Sequence, residues 1–453
     1  MINVKLTNVD ITKRIQIKDT LQNIGKDVVL GGWVYRKRDH GKVSFIDLRD
    51  GSGLLQLVST GETKISGNNL PSWGLESVII VKGTVKERPE HLVNKDLETG
   101  KLEMEVKELE VVSPTGEALP LDISKDIDKI HLDTLLNYRP LTLRSPKLQA
   151  IFRFSELIES GYREFLKKEG FTEIHTPKVI PAATEGGANV FRVDYFGRDV
   201  FLAQSPQFYK QMMVGVFEKV FEVGPVFRAE PHYTSRHLNE YVSLDAEMGF
   251  IGGVEDLMKK LETGIRFIAN KINSELKEAD KKILAFPELV LPKGKFPSVT
   301  MEEAIAIINK KKGTNSDALD LDPEGERILG EHFRDKFKSD FVFVTAYPTS
   351  ARPFYQMPTE DWRFTKSFDI LFRGLELGTG AQRIHDPNML KESIKKHGMN
   401  PKDFKDYISL FKYGMPPHGG WGLGLERFTK QWLGLDNVRL AALFPRDVKR
   451  VNP

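Results

Sequence analysis

The chain has 453 residues, a formal net charge of +3, 40% hydrophobic and 28% charged residues, and no cysteine. That length supplies more than one hydrophobic core, which reads as two or three domains, and the mild basicity leaves any nucleic-acid surface to local clustering. The missing thiols exclude disulfides and thiolate metal sites, and neither a secretion signal nor a run of about eighteen apolar residues is legible, so a cytoplasmic protein without a membrane span is expected.

Five runs between Val28 and Val112 alternate as strands do: Val28–Tyr35, Val43–Leu48, Leu54–Val58, Val78–Val85 and Leu102–Val112. Asp50-Gly51-Ser52-Gly53 supplies turn chemistry between the second and third. Five short strands predict a small Greek-key barrel of the oligonucleotide-binding (OB-fold) kind over residues 1–113. Arg36, Lys37, Arg38 and Lys42 precede Phe45, and Gln56 follows on the next strand. Cations, an aromatic face and an amide together suit single-stranded RNA, where stacking is worth roughly 1–3 kcal/mol per base. From the residues alone, Phe45 is as readily a core side chain and the basic run a solvated edge.

Residues 114–145 mix Pro, Gly and charge with short apolar pieces and read as a hinge, leaving 146–453 as the larger domain. Ser145-Pro146 opens a helix whose apolar face runs from Leu148 to Leu166 before Gly170 stops it, and Gly170 to Pro177 connects it to a strand. Thr184-Glu185-Gly186-Gly187-Ala188 is a loop with paired glycines, suited to a mobile lid. A strand over Val200–Ala203 precedes Gln204-Ser205-Pro206-Gln207, which opens a helix carrying Lys210. A lone lysine in an apolar helix turn either snorkels outward or serves a buried anion.

Phe221 to Glu247 reads as a hairpin. Its ends alternate through Phe221, Val223 and Val226 and again through Tyr241, Val242 and Leu244, while its connection crowds Arg228, Glu230, His232, Arg236, His237 and Glu240 together. An arginine fork suits phosphate oxygens; a solvated loop of mixed charge is the plainer alternative. Gly253 to Lys277 predicts an amphipathic helix, and Thr300-Met301-Glu302-Glu303 has capping-box spacing. Residues 279–340 are charge-rich and loop-prone with no site legible, and Lys310-Lys311-Lys312 reads as a solvated face. Phe341–Ala346 suits a central strand. In Ser367–Gly374 and Leu375–Arg383, Asp369, Glu376, Thr379 and Arg383 alternate with small residues, so strands could aim several polar groups into one pocket; a structural ion-pair network is the alternative. His418 to Leu425 is a glycine-rich strand meeting a helix whose start holds Glu426 and Arg427, within reach of a phosphate.

Three of these stretches, in this order, resemble the signature motifs of the class II aminoacyl-tRNA synthetases: the helix to Pro177, Phe227-Arg228-Ala229-Glu230 with Arg236-His237-Leu238-Asn239-Glu240, and Gly422-Leu423-Gly424-Leu425-Glu426-Arg427. The wording RAE…TSRHLNE is similar to the aspartyl branch, and the compact length to its archaeal or eukaryotic type. The likeness implies an α+β protein, an OB-fold before an antiparallel catalytic sheet flanked by helices, and a homodimer built on the first motif.

It also implies chemistry. L-aspartate would meet Glu185 of the lid, Gln207, Lys210, Asp369, Thr379 and Arg383; the asparaginyl branch has an uncharged residue in place of Lys210. ATP would lie on Arg228, Ala229, Glu230, Arg236, His237, Leu238, Tyr241, Glu376, Gly424, Leu425, Glu426 and Arg427, with Mg²⁺ on Glu376 and Thr379. Arg228, Arg427 and Glu376 are then the catalytic set: the aspartate carboxylate attacks the ATP α-phosphorus, and the aspartyl-adenylate passes its acyl group to tRNA. Arg36, Lys37, Phe45 and Gln56 would meet the anticodon of tRNA(Asp), with tRNA(Asn) open as a second substrate. Asparagine is expected to fail because its amide would leave Lys210 and Arg383 uncompensated. The barrel argues against an ammonia-dependent asparagine synthetase, Lys210 against an asparaginyl enzyme, and the presence of Arg228 and Arg427 against a non-catalytic tRNA-binding protein.

Overall fold

Strand β1 (Asp27–His40) turns at Gly41, whose φ is +62°, and returns as β2 (Val43–Arg49). In the computed structural model, which describes residues 9–67, 73–95, 97–115, 118–125, 127–181 and 189–452, this hairpin begins the first of two compact units, Met1–Leu141 and Thr142–Pro453. β3 (Leu54–Thr60), β4 (Lys64–Gly67), β5 (Val78–Glu87) and β6 (Leu102–Ser113) follow, in the order β3-β2-β1-β5-β6-β4. A parallel pairing of β3 with β6 closes the sheet into a barrel, so the five expected strands form the OB-fold, with β4 appended to β6.

Alternation decides which side chains fill it. Ile46 and Leu48 of β2 and Leu55 and Leu57 of β3 are buried with Val34, Ile79, Val81 and Met104, while Phe45, Asp47 and Gln56 face outward. Burial of each such aliphatic side chain contributes about 1.5–3 kcal/mol. β1 carries a register irregularity between Val34 and Arg36, where Tyr35 turns inward and Arg36 is exposed.

The second unit is built on an eight-stranded sheet. Its strands are β7 (Thr172–Glu173), β11 (Lys219–Phe227), β12 (Glu240–Gly249), β13 (Ser298–Thr300), β14 (Phe341–Thr345), β15 (Ser367–Phe372), β16 (Leu375–Gln382) and β17 (His418–Gly424). Their order is β13-β14-β15-β16-β17-β12-β11-β7, antiparallel from β14 to β11 and parallel at both edges. A separate small sheet joins β8 (Val179–Ile180), β9 (Arg192–Tyr195) and β10 (Arg198–Leu202).

Helices Pro146–Lys168 and Val254–Glu275 pack together, with Gly264 against the Phe165 ring. The expected capping box forms: the Thr300 hydroxyl accepts from the Glu303 amide and the Glu303 carboxylate from the Thr300 amide. Two expectations are corrected. Phe341–Thr345 is next to the sheet edge rather than central, and the 279–340 stretch, instead of being loop-prone, includes the helices Met301–Lys312 and Pro323–Phe337. Its charges misled because they lie on the outer faces of helices whose Ile308, Ile328, Leu329 and Phe333 are buried.

Between β15 and β16, Arg373 and Gly374 have φ of 47° and 73°, as a two-residue turn of this hairpin type needs. The left-handed Arg373 is held by Asp340, whose main-chain oxygen accepts from its amide and whose carboxylate accepts from its Nε. That turn pairs Leu371 with Glu376, and a register irregularity between Ile370 and Leu371 then brings Asp369 opposite Thr379.

Candidate active site

Three strands and two helices converge on a cavity of about 300 Å³. β12 lends Tyr241, Ser243 and Asp245, and β16 lends Glu376 and Thr379. β17 and the helix after it supply Gly422, Gly424, Glu426 and Arg427, and helix Gln207–Phe217 supplies Gln207 and Lys210. The loop between β11 and β12 completes one wall with Arg228, Glu230, Arg236, His237 and Leu238, and Arg383 lies just beyond β16.

Lys210 and Arg383 are almost fully buried, 2% and 3% exposed. Neither stands alone. Lys210 Nζ donates to Asp245 Oδ1 at 2.9 Å and to the Trp421 carbonyl at 3.1 Å, and Glu247 Oε2 lies 3.5 Å away. Arg383 donates to Glu247 through Nε at 2.9 Å and Nη2 at 3.3 Å. This corrects the expected basis of discrimination: both cations are compensated without a substrate, because β12 places two acids two residues apart on one face. Burial favours the neutral form of Glu247, but Arg383 and Lys210 outweigh it and hold the carboxyl below its ordinary range.

The far end of the cavity is a guanidinium cluster. Arg427 Nη1 donates to the Glu376 carbonyl at 3.2 Å, and its Nε to the Arg236 carbonyl at 3.4 Å. Arg228 lies 3.8 Å from Glu230 and with its guanidinium carbon 5.9 Å from the Tyr241 ring centroid. The loop bearing these groups is fastened by Asn239, whose Nδ2 donates to the carbonyls of Arg228 and Glu230 at 2.6 and 3.0 Å. His237 Nδ1 lies 2.6 Å from the Thr234 hydroxyl; burial, reinforced by Arg427, lowers its pKa. Burial works against ionisation of Glu376, yet Arg427, Arg352, Arg228 and Arg236 together lower its pKa.

Other expected site residues lie elsewhere. Asp369 does not line the cavity: Arg352 grips it at 2.6 and 3.1 Å and the Thr379 hydroxyl donates to it at 2.8 Å, while burial raises its pKa. Ala229 and Leu425 also stay off the wall; the Ala229 amide donates to the Asn189 carbonyl and Leu425 is buried. Both oxygens of Glu426 accept from the Val242 amide at 3.1 Å, so that carboxyl is turned to β12. Glu185 falls outside the described residues. On the barrel, Phe45 is half-buried with His40 edge-on at 5.8 Å, Lys37 stands 4.2 Å from the Trp73 ring, and Gln56 donates to Glu103 at 3.3 Å.

Glu326 is the least expected neighbour. It reaches from helix Pro323–Phe337, binds Arg236 through both oxygens at 2.7 and 3.0 Å and accepts from the Glu376 amide at 3.0 Å. Asp245, Glu247, Asn239 and Arg352 are further neighbours absent from the expected set. The two acids interrupting an apolar strand were a readable signal; Glu326 had none, since 90 residues separate it from Arg236.

Glu376 and Thr379 offer only oxygen ligands to the cavity, which suits a hard cation such as Mg²⁺ that keeps waters and phosphate in its shell. No cluster of three or more His, Cys, Asp or Glu occurs among the described residues, as a cage built wholly from protein would need. No helix among them is long and apolar enough to cross a membrane.

Residues 131–448 match the family of class II tRNA synthetases (D, K and N), and residues 28–112 match the OB-fold nucleic acid binding domain. The chain belongs to the class II tRNA synthetases. Aspartate--tRNA(Asp/Asn) ligase of Thermus thermophilus is 45% identical over 97% of this synthetase and 100% of its own length. Aspartate--tRNA(Asp) ligase of Pyrococcus abyssi is 43% identical over 95% and 97%. The crystal structure of asparaginyl-tRNA synthetase from Pyrococcus horikoshii complexed with asparaginyl-adenylate is similar with a TM-score of 0.86 at 32% identity, covering 97% of this chain and 99% of that one. One fold is thus shared with relatives named for aspartate and for asparagine.

Proposed function

We propose that this synthetase joins L-aspartate to tRNA with ATP, by way of an aspartyl-adenylate. The observation that carries the reading is one cavity with cationic donors at both ends: Lys210 and Arg383, each paired with an acid, deep at one, and Arg228, Arg236 and Arg427 at the other. The first suits a small dicarboxylate and the second a triphosphate.

No protein nucleophile is needed. The substrate α-carboxylate attacks the α-phosphorus, and the chain aligns the reactants and neutralises charge that builds on the phosphate oxygens. Arg228 faces the phosphorus under attack and Arg427 the γ-phosphate. Glu230 and His237 orient the nucleotide and Tyr241 lies against adenine. Glu376 and Thr379 would hold Mg²⁺, which spreads the charge of the leaving pyrophosphate.

Lys210 and Arg383 take the side-chain carboxylate, and Gln207 and Glu185 the α-ammonium. Selectivity follows from donors without acceptors. Lysine and arginine carry no lone pair, so neither Lys210 nor Arg383 can accept from the N–H₂ of asparagine where both can donate to a carboxylate oxygen, and Asp245 and Glu247 keep both cations in place.

Arg36, Lys37, Phe45 and Gln56 of the barrel meet the anticodon, and the enzyme works as a cytoplasmic homodimer. Pyrophosphate exchange tests the reading: aspartate should drive it and asparagine should not, and equal exchange with both overturns it. A second reading, charging of tRNA(Asn) besides tRNA(Asp), is favoured by the 45% identity to the Thermus thermophilus ligase. Charging the two transcripts side by side decides it.

A further inference from the structure

Behind the aspartate end of the cavity a chain of four polar side chains runs into the core. Gln207 Nε2 donates to Gln211 Oε1 at 2.8 Å, the Tyr407 hydroxyl donates to the same oxygen at 2.6 Å, Gln211 Nε2 meets His418 Nε2 at 2.9 Å, and His418 Nδ1 meets the Pro416 carbonyl at 2.9 Å. Gln207, Gln211, Tyr407 and His418 are all buried, the histidine and Gln211 completely. Only Gln207 opens onto the cavity.

The end of this chain has one solution. A main-chain carbonyl can only accept, so Nδ1 of His418 carries the proton; in the neutral ring Nε2 is then an acceptor, and Gln211 must turn its NH₂ to it. That choice sends the Gln211 oxygen back toward Gln207 and Tyr407. Gln207 answers with its own NH₂, which leaves its carbonyl oxygen as the end of the amide available to a ligand.

We propose that His418 is a positioning residue for amino-acid recognition: neutral, it holds Gln211 and through it Gln207 in the orientation that offers an oxygen to the substrate α-ammonium. A proton added at Nε2 needs an acceptor there. Gln211 must turn its oxygen to the imidazolium, its NH₂ then faces Gln207, and Gln207 must turn in response and point N–H groups at the ammonium. One protonation in the core reverses the polarity of a group at the site, two side chains away.

The surroundings keep the ring neutral near pH 7. Burial lowers its pKa; Arg383 beyond β16 and His385 two residues on act in the same direction, and Glu247 on β12 opposes them. Tyr407 and Phe411 from the adjoining helical segment close the other side, the Phe411 ring 6.2 Å away.

This rests on the aspartate-activating reading above, and pyrophosphate exchange separates the two. In the full-length enzyme, KM for aspartate should rise as pH is lowered far enough to protonate His418, by about tenfold for one charge-assisted hydrogen bond lost, while KM for ATP holds. In H418Q an amide oxygen can accept from Gln211 at every pH, so the acid rise disappears. In Q211E one carboxylate oxygen serves the imidazolium and the other still accepts from Gln207, so the rise disappears again by an independent route. An acid rise that persists in a folded H418Q or in Q211E, or that affects both KM values alike in the wild type, overturns the proposal. Absence of aspartate-dependent exchange at any pH would instead overturn the underlying activity.

Discussion

Lys210 and Asp245 form a buried ion pair, Nζ to Oδ1 2.9 Å, with side chains 3% and 4% exposed. The pair makes the floor of the amino-acid end neutral while leaving an ammonium in reach of a carboxylate. K210M should therefore fail twice. Aspartate-dependent exchange should fall roughly 100-fold, and stability should drop by about 3–5 kcal/mol because Asp245 is left buried and unpaired. K210M/D245N should recover the melting temperature without the exchange; recovery of both would show that Lys210 serves only the fold.

Glu326 links Arg236 to the amide of Glu376. Replacing it with glutamine keeps the size and an acceptor for that amide but releases the arginine from its carboxylate. KM for ATP should rise about tenfold and KM for aspartate hold, since a hydrogen bond to a charged partner contributes roughly 1.5–3 kcal/mol. Steady-state exchange kinetics on E326Q read the two constants separately, and an equal change in both would contradict the link to the nucleotide end.

On the barrel, F45A should lower tRNA charging roughly tenfold, as loss of one stacked base implies, and leave pyrophosphate exchange intact. K37A should weaken tRNA binding and reduce the slope of log affinity against log salt by about 1. Filter binding at several salt concentrations measures this, and an unchanged slope would remove Lys37 from the phosphate contacts.

Glu426 sets a pH dependence of stability. Burial pushes its carboxyl from the ordinary 4.5 to about 7. Between those values the folded chain holds a proton that the unfolded chain releases, so the stabilisation is complete below pH 4.5 and is lost as pH rises through 7. Wild type should therefore lose stability relative to E426Q on the order of 3 kcal/mol between pH 4.5 and 8. Urea midpoints at the two pH values measure it; a pH-independent difference would rule out a titrating Glu426.

What could be read from the chain followed from short-range rules. The barrel strands were legible because apolar alternation and turn residues are local, and Thr300 to Glu303 because a capping box spans four positions. Strand β4, four residues long, was too short to show a period. Within the cavity, residue types were legible but partners were not. Asp245 reaches Lys210 across 35 residues and Gln211 reaches His418 across 207, and only the register of β12 and β17 brings them together. Asp369 on β15 is likewise held by Arg352, 17 residues away, where a polar residue in alternation had suggested a ligand contact.

The centre of the large sheet is unusually bare. A Cβ on Gly420 would stand 2.0 Å from the Ala246 carbonyl, and one on Gly378 2.1 Å from that of Gly422, so main chain meets main chain where β16, β17 and β12 adjoin. Substitution there is barred by geometry, whereas the side chains that reach in from the neighbouring helix and strand ends meet no such main-chain barrier. A platform of this kind separates what is inherited from what is chosen. The backbone preserves a common seat for the reaction, and a change of amino acid requires only new occupants around its edge.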